Sequence, residues 1–273
     1  LLLFTEFTAQ IIAACIGLLI GLVMGLTGAG GGMLAVPALV YSQGWSMQQA
    51  MPVALLAVTT GALIGSVEGF SKGLVRYRAA IVMALAAAVP TWLGVQLAHR
   101  LSQTWLMGTF ALVLLLAAAR LTMQLKQDEA GADNKTALAR VNQQTGRFDW
   151  TAGTGALIAS IGGVAGLMTG LLGVGGGFII VPMLRQFTNL SMHGAVATSL
   201  FFISLVGSMG VGSALMHGVQ LPLVLSAVFV TATIVGMLFA RRLISYLPSR
   251  IVQQGFIVLM CSVAASLLWR AAH

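Results

Sequence analysis

Two glycine-rich runs hold the residues in this chain best suited to chemistry. GLTGAGGGMLAVP occupies residues 25–37 and GLLGVGGGFIIVP occupies residues 170–182, each inside a long apolar stretch. Gly28, Gly30, Gly31 and Gly32, and likewise Gly173, Gly175, Gly176 and Gly177, are too closely spaced to line one helix face. They favour positive φ, so both runs are expected to break the helix. A short apolar helix follows each break, beginning near Met33 or Phe178. Its amino end carries free N–H groups and a partial positive charge, which together make a site for an anion. Thr27, Thr198 and Ser199 fall at or near the breaks. Their hydroxyls are equally able to donate to an oxyanion or to bond their own helix backbone.

Other chemistries lack their residues. No Gly-Lys-[Ser/Thr] follows either run, and neither has the strand context of a dinucleotide fingerprint. HExxH, GxSxG and clustered His/Asp/Glu within apolar segments are missing, so neither an enzyme nor a cofactor nor a metal site is expected. Cys15 and Cys261 lie in apolar segments and read as small buried hydrophobes. Glu68 is the one acid within reach of an apolar interior and is the candidate for proton coupling. Its i, i+4 spacing from Lys72 also suits a plain surface pair. Arg185, His193 and His217 fall near segment ends, where surface roles are expected.

The elements that position these residues are membrane spans. Hydrophobic residues are 58% of the 273, charged residues 7%, and mean hydropathy is +0.97. These values lie outside the range of soluble domains. Eight apolar stretches are long enough to cross a bilayer: residues 7–26, 51–70, 79–98, 105–123, 150–172, 195–216, 221–240 and 251–269. The first matches the fifth too closely to be read as a cleaved signal peptide. The short stretches at 33–45 and 178–187 do not cross alone, so each forms a hairpin or a tilted pair with the span before it. A broken helix at that depth is tolerated only against protein or a water-filled cavity.

Sliding the sequence by 145 residues superposes twelve identical residues within positions 17–39 and 162–184, from Gly17 on Gly162 to Leu39 on Leu184. The chain therefore reads as two copies of one unit. Residues 1–124 form the first repeat, 125–149 a polar connector and 150–273 the second. Gly17, Gly21 and Gly25, with Gly162, Gly166 and Gly170, recur every four residues and mark helix-packing faces. In the first half, basic residues gather after the second and fourth long spans: Lys72, Arg76, Arg78, Lys126, Lys135, Arg140 and Arg147. In the second half the bias flips to Arg185, Arg241, Arg242 and Arg250. Cytoplasmic loops carry the basic excess, so the halves are expected to be oppositely oriented, with a cytoplasmic connector and both termini periplasmic. The net charge of +8 is read as this topology signal, and no nucleic-acid partner is expected, since no basic stripe interleaves with aromatics. The expected fold is all-α and polytopic, built as two inverted-topology repeats, each a glycine-broken helix pair plus three transmembrane helices.

The paired GLTGAGGGMLAVPAL and GLLGVGGGFIIVPML, with AVATSL after the second, resemble the TauE/SafE family of sulfite exporters. The resemblance implies a secondary transporter of the bacterial inner membrane that moves sulfite, thiosulfate or an organosulfonate. Export by alternating access is the expectation, with proton or sodium coupling open. An anion channel filtered by the glycine breaks, or an uptake permease for thiosulfate or another anion, is the alternative. One departure bears on the site: the counterpart of Ala197-Thr198-Ser199 is Pro52-Val53-Ala54, so hydroxyl contacts from that position would be one-sided.

Overall fold

A computed structural model describes residues 2–129, 139, 148–216, 222–243 and 249–272. In chain order the helices are α1 (Leu2–Thr27), α2 (Ala35–Gln43), α3 (Met47–Ser71), α4 (Tyr77–Arg100), α5 (Gln103–Glu129), α6 (Ala152–Leu172), α7 (Gly177–Phe187), α8 (Met192–Met216), α9 (Leu223–Leu243) and α10 (Ser249–Ala272). Residues Gly28–Leu34 form a 3-10 segment between α1 and α2. Eight of the helices are long and apolar enough to span a membrane, and the chain is an all-α polytopic membrane protein.

The glycine faces work as packing surfaces. A Cβ on Gly17, Gly21 or Gly25 would meet the carbonyls of Phe229, Thr233 or Met237 on α9. A Cβ on Gly162, Gly166 or Gly170 would meet those of Met83, Ala87 or Thr91 on α4. Residue numbers rise together along both pairs, so α1 runs parallel to α9 and α6 runs parallel to α4. Each half of the sequence thus lends its first helix to the other half's third long helix, the reciprocal pairing that a two-fold relation produces. Small residues let these backbones touch where lipid offers no hydrophobic drive to associate.

The centre belongs to α3 and α8, which are 72% and 67% buried over their most apolar windows, against 22% for α10. Such helices are apolar all round because protein covers every face. Gly210 packs on Leu55, Gly207 on Thr59 and Gly69 on Ala197, so numbers fall along α8 as they rise along α3. These counterpart helices therefore point in opposite directions. A capping box at Ser46 and Gln49 starts α3.

In the first half the short helix folds back along α1, with Gln43 Nε2 donating to the Ala9 carbonyl at 3.3 Å. A Cβ on Gly31 would overlap the Met24 backbone, and one on Gly176 would come within 2.8 Å of Thr169 Oγ1 and 2.6 Å of the Ala165 carbonyl. Met24 and Thr169 are 145 residues apart, as are Gly31 and Gly176, so both runs fold back on equivalent turns. At the base of the second hairpin, Arg120 of α5 donates to Gln186 Oε1 at 2.6 Å, and Ala139 N–H donates to the Phe187 carbonyl at 3.0 Å. The expected burial of the cysteines is corrected: Cys15 and Cys261 are both exposed on outward helix faces.

Candidate anion site

The two runs reach the middle of the bundle from different hairpins. Val58 is the twelfth of the 25 residues of α3, and Ile203 is the twelfth of the 25 of α8. A Cβ on Gly32 would lie 2.9 Å from the Val58 methyls and 3.5 Å from the Val174 carbonyl. One on Gly175 would lie 2.9 Å from Ile203 and 3.2 Å from Val58. Val58 and Ile203 are fully buried, so the junction of the runs is a dry, apolar contact.

The second run has a distinct backbone path. Helix α6 ends where Gly173 turns left-handed (φ 69°) and donates its N–H to the Thr169 carbonyl at 2.9 Å. Gly175 (φ 75°) and Gly176 (φ 68°) continue in that region, which L side chains avoid. Ile179 and Ile180 N–H both turn back to the Gly176 carbonyl and open α7. Between these anchors, the N–H groups of Val174, Gly175, Gly176, Gly177 and Phe178 enter no backbone hydrogen bond among the described residues, and no side chain caps α7. All five residues are buried. Successive amides in such a turn make a concave donor row, and the α7 dipole adds positive potential to it. Left without a partner, each buried N–H costs roughly 1–3 kcal/mol, which an anionic guest would relieve.

The first run is different, and the expectation of two matching breaks is corrected for its backbone. Among the described residues, positive φ occurs at Gly44, Gly73, Gly173, Gly175 and Gly176, with none in Gly28–Leu34. That segment, holding Gly28, Gly30, Gly31 and Gly32, is a right-handed 3-10 turn in which Ala35 N–H bonds the Gly32 carbonyl. Its amides are spent on i→i+3 bonds within the turn. The hairpin still reverses, because Gly31 seats on Met24, but the donor row is lost.

The hydroxyls separate. Ser199, fully buried on α8, donates to the Gly177 carbonyl at 3.5 Å and so stands at the second run. Thr198 faces away, its Oγ1 accepting the Arg76 N–H at 3.0 Å where the loop after α3 meets α8. Thr27 donates to the Val23 carbonyl of its own helix at 2.8 Å. Glu68 pairs with Lys72 at 2.6 Å, with side chains 42% and 60% exposed, and is distant in sequence and setting from the runs. Sequence reading missed Val58, Ile203 and Thr169. The 145-residue shift carries Val58 onto Ile203, and that register at mid-helix was the available signal.

A narrow cleft, with room for about 30 Å³, opens beside the second run. Gln48, Met51 and Leu55 of α3, His99 of α4, Thr169 and Gly173 of the hairpin, and Ala214 of α8 are among its walls. Gln48 Nε2 bonds the Leu101 carbonyl at 3.3 Å and ties α3 to the end of α4 at the mouth.

Eight apolar spans around a buried glycine turn define a multi-pass membrane protein. The chain belongs to the sulfite exporter TauE/SafE family, whose model matches residues 13–267. It is 26% identical over 262 residues to a probable membrane transporter protein of Xylella fastidiosa, covering 93% of each chain. It is 24% identical to the probable membrane transporter protein YunE of Bacillus subtilis, covering 76% of this chain and 79% of that one. The probable membrane transporter protein MamO of Paramagnetospirillum magneticum is 26% identical over 94% of this chain, which spans 45% of MamO. No solved structure matches the chain.

Proposed function

We propose that this protein exports a small sulfur-containing oxyanion, sulfite or an organosulfonate, across the bacterial inner membrane by alternating access. The row of five buried, unpartnered amides at Val174–Phe178 carries this reading. An oxyanion with three oxygens can accept several of these N–H groups at once, and backbone donors hold it without a fixed lysine that would slow release. Ser199 keeps the row in shape by bonding the Gly177 carbonyl. The family description supports sulfite as the first substrate to test.

In this reading residues 1–124 and 150–273 are the two repeats, joined by a cytoplasmic connector at 125–149, with both termini periplasmic. An inside-negative potential drives an anion outward, so export needs no partner ion. A closed apolar contact at Val58 and Ile203, with a cleft on one side of it, suits alternating access better than an open filter. The deciding experiment is flux of labelled sulfite, thiosulfate and sulfoacetate in proteoliposomes holding the purified chain. Saturable exchange, with one anion on the far side accelerating another, is expected. A conductance that grows linearly with concentration and shows no exchange would replace the transporter with a channel.

A further inference from the structure

Resting on the transport reading, we infer that the cleft at Gln48 and His99 is the anion's path to the amide row, and that Met51 is the side chain it must displace. The cleft and the row share a wall. Thr169 lines the cleft, and its Oγ1 stands 2.8 Å from where a Cβ on Gly176 would be. Met51 also lines the cleft, is 7% exposed, and its Cβ sits 2.8 Å from where a Cβ on Gly173 would be. A single flexible side chain therefore narrows the cleft where it reaches Gly173, the first glycine of the run. Methionine suits this place, because its unbranched chain changes rotamer without disturbing its neighbours. The cleft walls carry no lysine or arginine, so an anion can traverse them without being trapped.

The opposite end of the same helices is shut. A Cβ on Gly69 would lie 3.0 Å from both Ala197 and Val75. Phe70 meets Phe201 edge-on at 4.9 Å, and Thr198 accepts the Arg76 N–H at 3.0 Å. At the 145-residue shift the counterpart of Met51 is Val196, which lies at this sealed end. Among the described residues the cleft thus lies at one end of these helices and close packing at the other, with Met51 at the inner end of the cleft.

Ala214 and Ala197 make a matched pair for the test: both are on α8 and they are 6% and 5% exposed, but one lines the cleft and the other faces Gly69. In the full chain with Cys15→Ser and Cys261→Ser, Ala214→Cys should react with a maleimide at least about tenfold faster than Ala197→Cys. Sulfoacetate should slow labelling at 214 and leave 197 unchanged. In proteoliposomes, Met51→Trp should cut sulfoacetate flux at least about tenfold while Met51→Leu, of similar volume, retains it. Equal labelling at the two positions, or full flux in Met51→Trp, would overturn the inference. The labelling ratio is read without any transport, so a wild-type chain that moves no anion would sink the proposed function and leave the access route standing.

Discussion

Val58 touches both glycine runs: its methyls lie against Gly32 of the first hairpin and Gly175 of the second, while Ile203, 145 residues later, closes on Gly175 from α8. Two fully buried β-branched side chains at the midpoint of the two most buried helices thus hold the hairpin tips apart. In the proposed transport cycle this contact is the barrier to free anion flow, and the amide row lies beside it.

Truncating that contact should loosen it. Val58→Ala removes two methyls that nothing else can replace and is expected to cost about 1–3 kcal/mol of stability. The expected readout is a lower unfolding temperature in detergent, together with a faster passive leak of sulfite from loaded proteoliposomes. An unchanged leak would show that the barrier lies elsewhere.

Glycine should be replaceable only where space and φ allow. At Gly31 a Cβ would overlap the Met24 backbone, and at Gly176 it would enter a left-handed turn against the Ala165 carbonyl. Both alanine variants are expected to lose folded protein on size-exclusion profiles. Gly108→Ala, in a helix with nothing within 4 Å, should be neutral or slightly stabilising. Gly44→Ala, with equal room but φ 67°, should cost about 1 kcal/mol.

The interlock between α1 and α9 makes a separate demand. A Cβ on Gly21 would overlap the Thr233 carbonyl. Gly21→Leu should separate the two helices and abolish a monodisperse elution peak. Gly155→Leu, on α6 but facing open space, should elute as wild type. Equal behaviour of the two variants would remove the packing role of the four-residue glycine spacing.

Hydroxyl removal should discriminate Ser199 from Thr27. Ser199→Ala deletes the bond to the Gly177 carbonyl and should weaken sulfite exchange by about three- to tenfold, as expected for one modest hydrogen bond. Thr27→Val deletes a bond within its own helix and should leave exchange at the wild-type rate. Reversal of that order in concentration-dependent flux would move the site to the first hairpin.

Glu68→Gln is expected to leave transport and its pH profile unchanged. The carboxylate is 42% exposed and paired with Lys72, so the pair contributes under about 1 kcal/mol to stability. A shifted pH profile for flux in the variant would restore Glu68 as the proton carrier.

The spans, the duplication and the packing faces were legible in the residues. Apolar length reports bilayer thickness, a fixed shift exposes a repeated unit, and glycines four apart stack on one helix face whatever the partner. The family resemblance rested on the same runs. What each run does was not legible, because GxGGG can close a 3-10 turn or open a left-handed one at similar intrinsic cost. The surroundings chose: Gly31 seats on a methionine turn and spends its amides locally, whereas Gly173, Gly175 and Gly176 turn left-handed beneath Met51, Ile203 and Thr169. Likewise, adjacent Thr198 and Ser199 point to different neighbours because helix geometry sets them about 100° apart. Composition and spacing determined that this chain crosses the membrane several times and carries one glycine-rich motif twice. Tertiary packing decided that, among the described residues, the second run and not the first turns left-handed and leaves its amides without backbone partners, since a backbone donor's fate depends on what lies across from it.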